Sequence, residues 1–404
     1  MIRMKMKVLH APFEIAGNMA RITKHLRKAG VDATSVNYYN TWFDYKCDMN
    51  LGINELPERE ARNEVERFTK EAMDKYDIFH FHFAHSLKPD MSDLEELKKR
   101  GKKILFSFWG SDQRGFEWIM YSQAKFLGYD PPKPYLWPLA LYAKHKVINA
   151  YADVIFAHYA VPRGLTPKGI IDTSEWTLEK KEEYASRVKL KKNPNTTYFV
   201  HAPSDRFKKG TPLIESLFNK CKDKGLPIEL LMVERQTPDQ AKEIYSQADF
   251  ALEQVGPGTF GLFGAEMMCW GIPVLVYHTP LLDRIRNYPP VIRMTGDSFE
   301  EEIRECIEMK MKGSNMEAMK EGVRTWAIEN LDISLGIEMY KDIYTRLMNG
   351  ETIKQYPNPV WYREELRLLK GVKSDFYKYM FDNGIFAKLG LVINDADYDR
   401  RCYN

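Results

Sequence analysis

The run HAPSDRFKKGT, His201 to Thr211, puts Arg206, Lys208 and Lys209 beside Gly210, where an apolar strand pattern gives way to a helical one. Arginine can fork two oxygens, lysine acts as a point charge, and a helix amino terminus adds unpaired N–H groups. That combination suits a phosphate or diphosphate; a solvated basic turn is the competing reading. Further on, GTFGLFGAEMMCWGIPVLVYHTP has Gly258, Gly261 and Gly264 leading into and lying within a short helical pattern. Glycines let backbone approach a ligand closely. Glu266 is the one carboxylate of that pattern. It is suited to accept hydrogen bonds from paired hydroxyls, as on a ribose, while the first turn offers N–H groups to a diphosphate. A glutamate early in a helix is also favoured by the helix field alone, so both readings stand.

Other places carry candidate chemistry. FEIAGNMARITKHL sets Gly17 between the first strand and the first helix. Its N–H can meet a leaving phosphate, or the glycine can simply make a turn; this is not the three-glycine dinucleotide fingerprint. FHFHFAHS holds His80, His82 and His85. Strand periodicity puts His80 and His82 on one face and leaves His85 at the strand end. Zinc needs three converging ligands and a fourth position, and no cysteine is near. Hydrogen bonding of His82 or His85 to an acceptor hydroxyl is the preferred functional role, and no metal is assigned. In FWGSDQR, Asp112 and Arg114 follow a strand directly. Asp112 either orients an acceptor or takes part in an exposed turn salt bridge.

The elements that position these residues alternate. KMKVLHAP, DATSVNYY, YDIFHFHF, KKILFSFWG and ADVIFAH read as strands, with helical patterns between the earlier ones. Ser92 and Glu95 form a capping-box pattern. Residues 115–150 hold the Pro-rich YDPPKPYLWP and read as a less regular insertion. After a break at residues 161–195 the pattern restarts with TYFVHAP, IELLMV, DFALEQV and IPVLVY as strands. Helices begin near Thr211, which is a candidate cap, and at Thr237 or Pro238. This predicts an α/β protein with two mostly parallel sheets. Residues 1–165 are expected as an acceptor-side domain, 166–348 as a nucleotide-binding one, and 349–404 as a crossover helix and a tail packed on the first domain. Ligands belong at the carboxyl ends of the strands, near the switch in strand order.

A chain of 404 residues exceeds what one core usually supports, in keeping with two domains. A net charge of +3 gives no case for nucleic acid as the main partner. The 5 cysteines have no paired spacing and read as free thiols in a reducing compartment. No secretory signal pattern precedes the first strand and no apolar run has membrane-spanning length, so a cytoplasmic location is expected. The first helix carries Arg21, Lys24, Arg27 and Lys28 as a basic face. It is either solvated or a peripheral contact with anionic lipid headgroups on the cytoplasmic face.

On these residues the chain resembles the GT-B fold glycosyltransferases, and among them retaining family four, over most of residues 5–345. FGLFGAEMMCWGIPVLVY is similar to that family's Phe/Tyr-Gly-x-x-x-x-Glu-Ala-x-Ala-x-Gly-x-Pro-Val signature. DRFKKGT is similar to its Arg and Lys-Gly phosphate segment, with a tighter Arg-to-Lys spacing. LTPKGIIDTSEW and DIFHFHF resemble its interdomain and Asp-x-x-His-x-His segments. The resemblance implies two Rossmann-like domains around a cleft, with a C-terminal crossover helix. It implies Glu266 on the nucleotide ribose, and the backbone of Gly261, Leu262 and Phe263 on the diphosphate and donor sugar. It places Arg206 and Lys209 on phosphate, Gly17 on the donor phosphate, and Glu234 and Arg235 near the base. The implied substrates are a UDP- or GDP-linked sugar and a glycan, small-molecule or lipid-linked acceptor, with no separate cofactor. Two departures stand out. The family's further glutamate, eight residues before the ribose-binding one, is Gly258 here, and its acceptor-side histidine is Trp109. His82, His85 or Asp112 can replace the latter. A nucleotide-sugar epimerase and a non-catalytic nucleotide-sugar-binding subunit are the alternatives.

Overall fold

Apolar runs that can be buried on both faces specify parallel strands, and they do so twice. The computed structural model describes residues 6–41, 45–113, 115–132, 139–157, 163–188, 192–280, 288–357, 369–389 and 391. Strands β1 (Lys7–Ala11), β2 (Asp32–Asn37), β3 (Met49–Asn50), β4 (Ile78–His82), β5 (Lys103–Ser107) and β6 (Val154–Phe156) form one sheet in the order β3-β2-β1-β4-β5-β6. After β7 (Arg163–Gly164), strands β8 (Thr197–His201), β9 (Ile228–Met232), β10 (Phe250–Leu252), β11 (Val274–Val276) and β12 (Ile292–Arg293) form a second sheet in the order β12-β11-β10-β8-β9. Every pair in both sheets is parallel. A short β13 (Tyr356–Pro357) pairs antiparallel with β7.

The helices of the first half are α1 (Asn18–Lys28), α2 (Glu58–Lys75), α3 (Asp93–Lys99), α4 (Phe116–Phe126), α5 (Leu139–Tyr151) and α6 (Leu178–Arg187). Then come α7 (Arg206–Lys209), α8 (Thr211–Asp223), α9 (Pro238–Tyr245) and α10 (Leu262–Cys269). The chain closes with α11 (Phe299–Lys312), α12 (Ser314–Leu331), α13 (Ile333–Met348), α14 (Leu369–Asp382) and α15 (Ile385–Lys388).

The described residues divide into two compact units: 6–115, 139–172 and 332–357 in the first; 116–132, 173–331 and 369–391 in the second. The first sheet has a core on each face. Leu9, Phe79, Phe81, Ile104 and Phe106 point to one side; Val8, Ile78, Leu105 and Phe156 point to the other, where Ile337, Tyr340 and Tyr344 of α13 cover them. The return to the first unit thus comes at Asp332, earlier than the expected 349. Residues 369–389 and 391 group with the second unit; the rest of the tail beyond 357, expected to pack on the first domain, lies outside the described residues. Within residues 369–389, Phe376, Tyr377 and Met380 are buried and the Tyr377 hydroxyl donates to Glu117 at 3.0 Å.

The stretch 115–150, expected to be irregular, holds α4 and α5. Helix α4 is buried nearly all round: Trp118, Met120, Ala124 and Phe126 are fully buried, and it belongs to the second unit. Caps also differ from expectation. Ser92 has helical angles and its hydroxyl donates to Asp90, so no capping box forms there. Thr211 is the first helical residue of α8, after Gly210. A full capping box does form at Thr237 and Gln240, with Pro238 next. Among the described residues no helix is long and apolar enough to cross a membrane.

Candidate functional site

In the second sheet β8 lies between β9 and β10, so the strand order changes direction beside β8. Loops leaving β8 and β10 therefore meet at the switch point, where open α/β sheets bind ligands. The β8 loop starts at His201, which is fully buried. Its Nδ1–H donates to the Leu252 carbonyl at 2.7 Å, and its Nε2 accepts from the Thr211 hydroxyl at 2.9 Å. Burial pushes its pKa down to about 4, so the ring is a neutral strut joining β8, β10 and α8. Asp205 caps α7 by accepting from the Lys208 N–H, and Gly210 closes it at φ +74°. A Cβ on Gly210 would lie 2.8 Å from the Cβ of Val255, so only glycine fits.

Lys209 is half-buried and its ammonium donates to the side-chain carbonyl of Gln254. Arg206 turns elsewhere: its guanidinium holds Glu234 at 2.9–3.0 Å and also pairs with Glu215. The two cations that the sequence reading joined thus have different partners, two carboxylates for Arg206 and Gln254 for Lys209. Arg235 follows Glu234 in the β9 loop, exposed and at φ +55°.

The β10 loop runs to the start of α10, with Gly261 as its cap and Leu262 and Phe263 in its first turn. Glu253, only 1% exposed, bends back onto this terminus. Its Oε1 accepts from the Gly261 and Gly264 N–H groups at 3.2 and 3.0 Å, and its Oε2 from the Gln254 N–H at 2.6 Å. Glu266 stands one turn further along, half-buried. Gly258 sits at φ +69°, and a Cβ there would come within 2.4 Å of the Cβ of Thr279. No glutamate can occupy that position in this backbone. Helix α4 lies under the same loops: Trp118 Nε1 donates to the Pro257 carbonyl at 3.0 Å and Gln123 Nε2 to the Phe207 carbonyl at 2.7 Å. Sequence reading offers Glu253 only as an acid or base for the epimerase alternative and Gln254 only as lying upstream of Gly258, and it missed His201 and α4 as parts of this site. The available signal was a Glu-Gln pair directly after an apolar strand.

In the first unit, Ala16 and Gly17 take left-handed angles at φ +55° and +74° between β1 and α1, and Tyr45 lies against Gly17. Here too a buried glutamate reaches the helix start. Glu14 accepts from the Met19 and Ala20 N–H groups at 3.2 and 2.9 Å, and burial raises its pKa. The basic face of α1 is partly engaged. Arg21 donates to the Ile170 carbonyl and Arg27 to Ala33 and Asp48, while Lys24 and Lys28 are exposed.

His82 is fully buried, not at the sheet edge. Its partners form a directed chain. The indole of Trp109 can only donate, and it donates to His82 Nδ1 at 3.0 Å. His82 then donates from Nε2 to His10 Nδ1 at 2.9 Å. His10 donates from Nε2 to the Tyr344 hydroxyl at 3.2 Å, and Tyr344 to His80 Nδ1 at 2.6 Å. His80 Nε2 ends the chain on Ser107 Oγ at 2.7 Å. Burial drives the His10 pKa down to about 3, and those of His80 and His82 well below the usual value. One nitrogen from each of these three rings lies within 4.8 Å of the other two, close enough for a metal ion. Each nitrogen already has a hydrogen-bond partner, and the His80 and His82 rings stack at 16°, which does not aim their lone pairs at one point.

His85, outside that group, is half-buried at the end of β4. Its Nδ1 meets the Phe83 carbonyl at 2.5 Å and its ring stacks on Phe83 beside Phe13, with Lys144 at 3.4 Å from Nε2. Asp112 is buried, with its carboxylate accepting from the Trp109 and Gly110 N–H groups. It closes the turn after β5. Arg114 lies outside the described residues. Among the described first-unit candidates on these strand ends, His85 is half-buried whereas His82 and Asp112 are buried.

No protein-family model matches the chain, and no protein of curated function matches it. Solved structures do. A sucrose-phosphate synthase from Thermosynechococcus elongatus matches with TM-score 0.58 and 12% identity, over 85% of this chain and 100% of that one. A glycosyltransferase from Rickettsia africae matches with TM-score 0.55 and 14% identity, over 86% and 100%. The catalytic domain of starch synthase IV from Arabidopsis thaliana, bound to ADP and acarbose, matches with TM-score 0.54 and 12% identity, over 85% and 99%. At such identities the likeness is one of fold, and the fold is the GT-B type with two Rossmann-like domains.

Proposed function

We propose that the protein is a glycosyltransferase that moves a sugar from a nucleotide diphosphate sugar to an acceptor hydroxyl, with retention at the anomeric carbon. One observation carries the reading: Lys209 and the amino end of α10, with Glu266 one turn on, come together at the switch point of the second sheet. In this reading Glu266 accepts from the ribose hydroxyls. Lys209 and the N–H groups at the start of α10 offset charge as the diphosphate leaves, so the leaving group needs no metal ion. No side-chain nucleophile is assigned, and the departing phosphate receives the acceptor proton as the new bond forms. His85, at the carboxyl edge of the first sheet, is the residue proposed to meet the acceptor. Contact with a membrane surface through Lys24 and Lys28, for a lipid-linked acceptor, belongs to the same proposal. The solved relatives support it through their names, two of which are synthases of sugar polymers or sugar phosphates.

The test is incubation with UDP-, GDP- and ADP-linked sugars, following donor consumption and the anomeric configuration of any product. Absence of both transfer and hydrolysis across that panel would count against an enzyme acting alone. A second reading, a nucleotide-sugar-binding subunit without its own turnover, is favoured by Gly258, where Thr279 bars the family's glutamate, and by the neutralised Arg206. Donor binding without turnover, restored on adding a partner enzyme, would select it.

A further inference from the structure

The anion site that the proposed function needs is already satisfied from within. A helix start leaves unpaired N–H donors, and at α10 two of them, from Gly261 and Gly264, are taken by the Glu253 carboxylate at 3.2 and 3.0 Å. The other half of the site, the Lys209 ammonium, is taken by the side-chain carbonyl of Gln254. Gln254 is itself fixed, with Nε2 donating to the Thr259 carbonyl at 2.9 Å. Two consecutive residues therefore present oxygens to both the amides and the cation that a diphosphate would use.

The glycines bear on this independently. A Cβ on Gly264 would lie 2.8 Å from Glu253 Cγ, and one on Gly261 would lie 3.1 Å from Gln254 Nε2. The space left by those two glycines is thus filled by Glu253 and Gln254. Burying a carboxylate is unfavourable unless its hydrogen bonds are met, and here the helix amides meet them. An entering phosphate competes for those same donors and faces a negative charge a few ångströms away.

We infer that Glu253 and Gln254 occupy the place of a ligand's phosphate oxygens and set how tightly the site holds a nucleoside diphosphate. The inference rests on the nucleotide-sugar reading for its ligand. Binding then requires Gln254 to release Lys209 and the phosphate to share or displace the Glu253 contacts. Glu253→Gln keeps the shape and an acceptor oxygen but removes the charge; Gln254→Ala removes the side-chain carbonyl that the Lys209 ammonium meets.

The experiment is calorimetric titration of UDP, GDP, ADP and inorganic pyrophosphate into the full chain, as wild type, E253Q and Q254A. E253Q is expected to bind the preferred nucleotide at least about tenfold more tightly than wild type, since one charge at this range is a large effect, and Q254A, which removes a neutral hydrogen-bond partner, is expected to bind it more tightly by about severalfold. If wild type binds a nucleotide and the folded variants bind it equally or more weakly, the inference is overturned while the nucleotide reading stands. If E253Q fails to fold by circular dichroism, Q254A decides alone. If only pyrophosphate binds, and the variants tighten it, the inference stands and the nucleotide reading falls. No binding of any probe by any of the proteins overturns both.

Discussion

The Lys209 ammonium donates to the Gln254 side chain, and this contact joins the loop after β8 to the loop after β10. It puts the cation beside the helix that carries Glu266. Lys209→Ala should weaken binding of the preferred nucleoside diphosphate. A hydrogen bond to a charged group contributes about 1.5–3 kcal/mol, so the loss should be roughly 10- to 100-fold. A K209A/E266A double variant should lose more than either single one. Titration of the intact and variant proteins checks this; a double variant indistinguishable from the intact protein removes the basis of the proposed site.

Placing a glutamate at Gly258, eight residues before Glu266, should fail for steric reasons. Gly258 lies at φ +69° and its Cβ position is 2.4 Å from the Cβ of Thr279. Left-handed strain costs about 1–3 kcal/mol, and the overlap with Thr279 adds to it. Gly258→Ala and Gly258→Glu should both lower the urea midpoint, with no gain in activity for the latter. Equal stability of G258A and wild type would show that the loop backbone differs from the one described.

Much of this architecture was legible because each strand run is apolar and bounded by helical patterns. TYFVHAP, DFALEQV and GLFGAEMMCWG all fall where expected. Helix α4 was not, because FEWIMYSQAKF is buried nearly all round, Ser122 and Gln123 included, and so lacks the two-sided pattern that marks a surface helix; the Pro-rich run after it also suggested irregular chain. The capping signals split for a local reason. Thr237 extends at φ −66° and ψ 159°, which frees its oxygen to accept from Gln240, whereas Ser92 at ψ −19° is already helical. Site residues were legible as types but not as partners. Nothing in the spacing of DRFKK says that Arg206 will meet Glu215 and Glu234, both of which lie on other elements.

Acid should destabilise the fold from about pH 6.5 downward. His10, His80, His82, His145 and His201 are buried, and burial lowers every one of their pKa values, to about 3 for His10 and about 4 for His145 and His201. The unfolded chain takes up protons near the ordinary histidine value of about 6.5, while the folded one does not. Stability is therefore complete above that value and is lost as pH falls toward the folded values, by up to about 1.4 kcal/mol per pH unit for each ring. Buried Glu14 and Asp93, with raised pKa values, oppose this only nearer the carboxylate range. The urea midpoint should fall between pH 7.5 and 5.5. A flat profile over that interval would mean that these rings are not buried neutral.

The histidine chain makes a sharper prediction at its centre. Tyr344 accepts from His10 and donates to His80, so Tyr344→Phe leaves two buried ring nitrogens without a partner. Each orphaned buried group costs about 1–3 kcal/mol. Trp109→Phe removes one donor at the outer end, from His82 Nδ1, and keeps a ring to stack on His82. Y344F should therefore lower the unfolding free energy by more than W109F does, measured by urea denaturation at pH 7.5. Because Tyr344 lies on α13, native-state hydrogen exchange of Y344F should quicken in that helix as well as in β4. If W109F costs as much as Y344F, the chain is not organised around the tyrosine and the proton positions assigned along it are wrong.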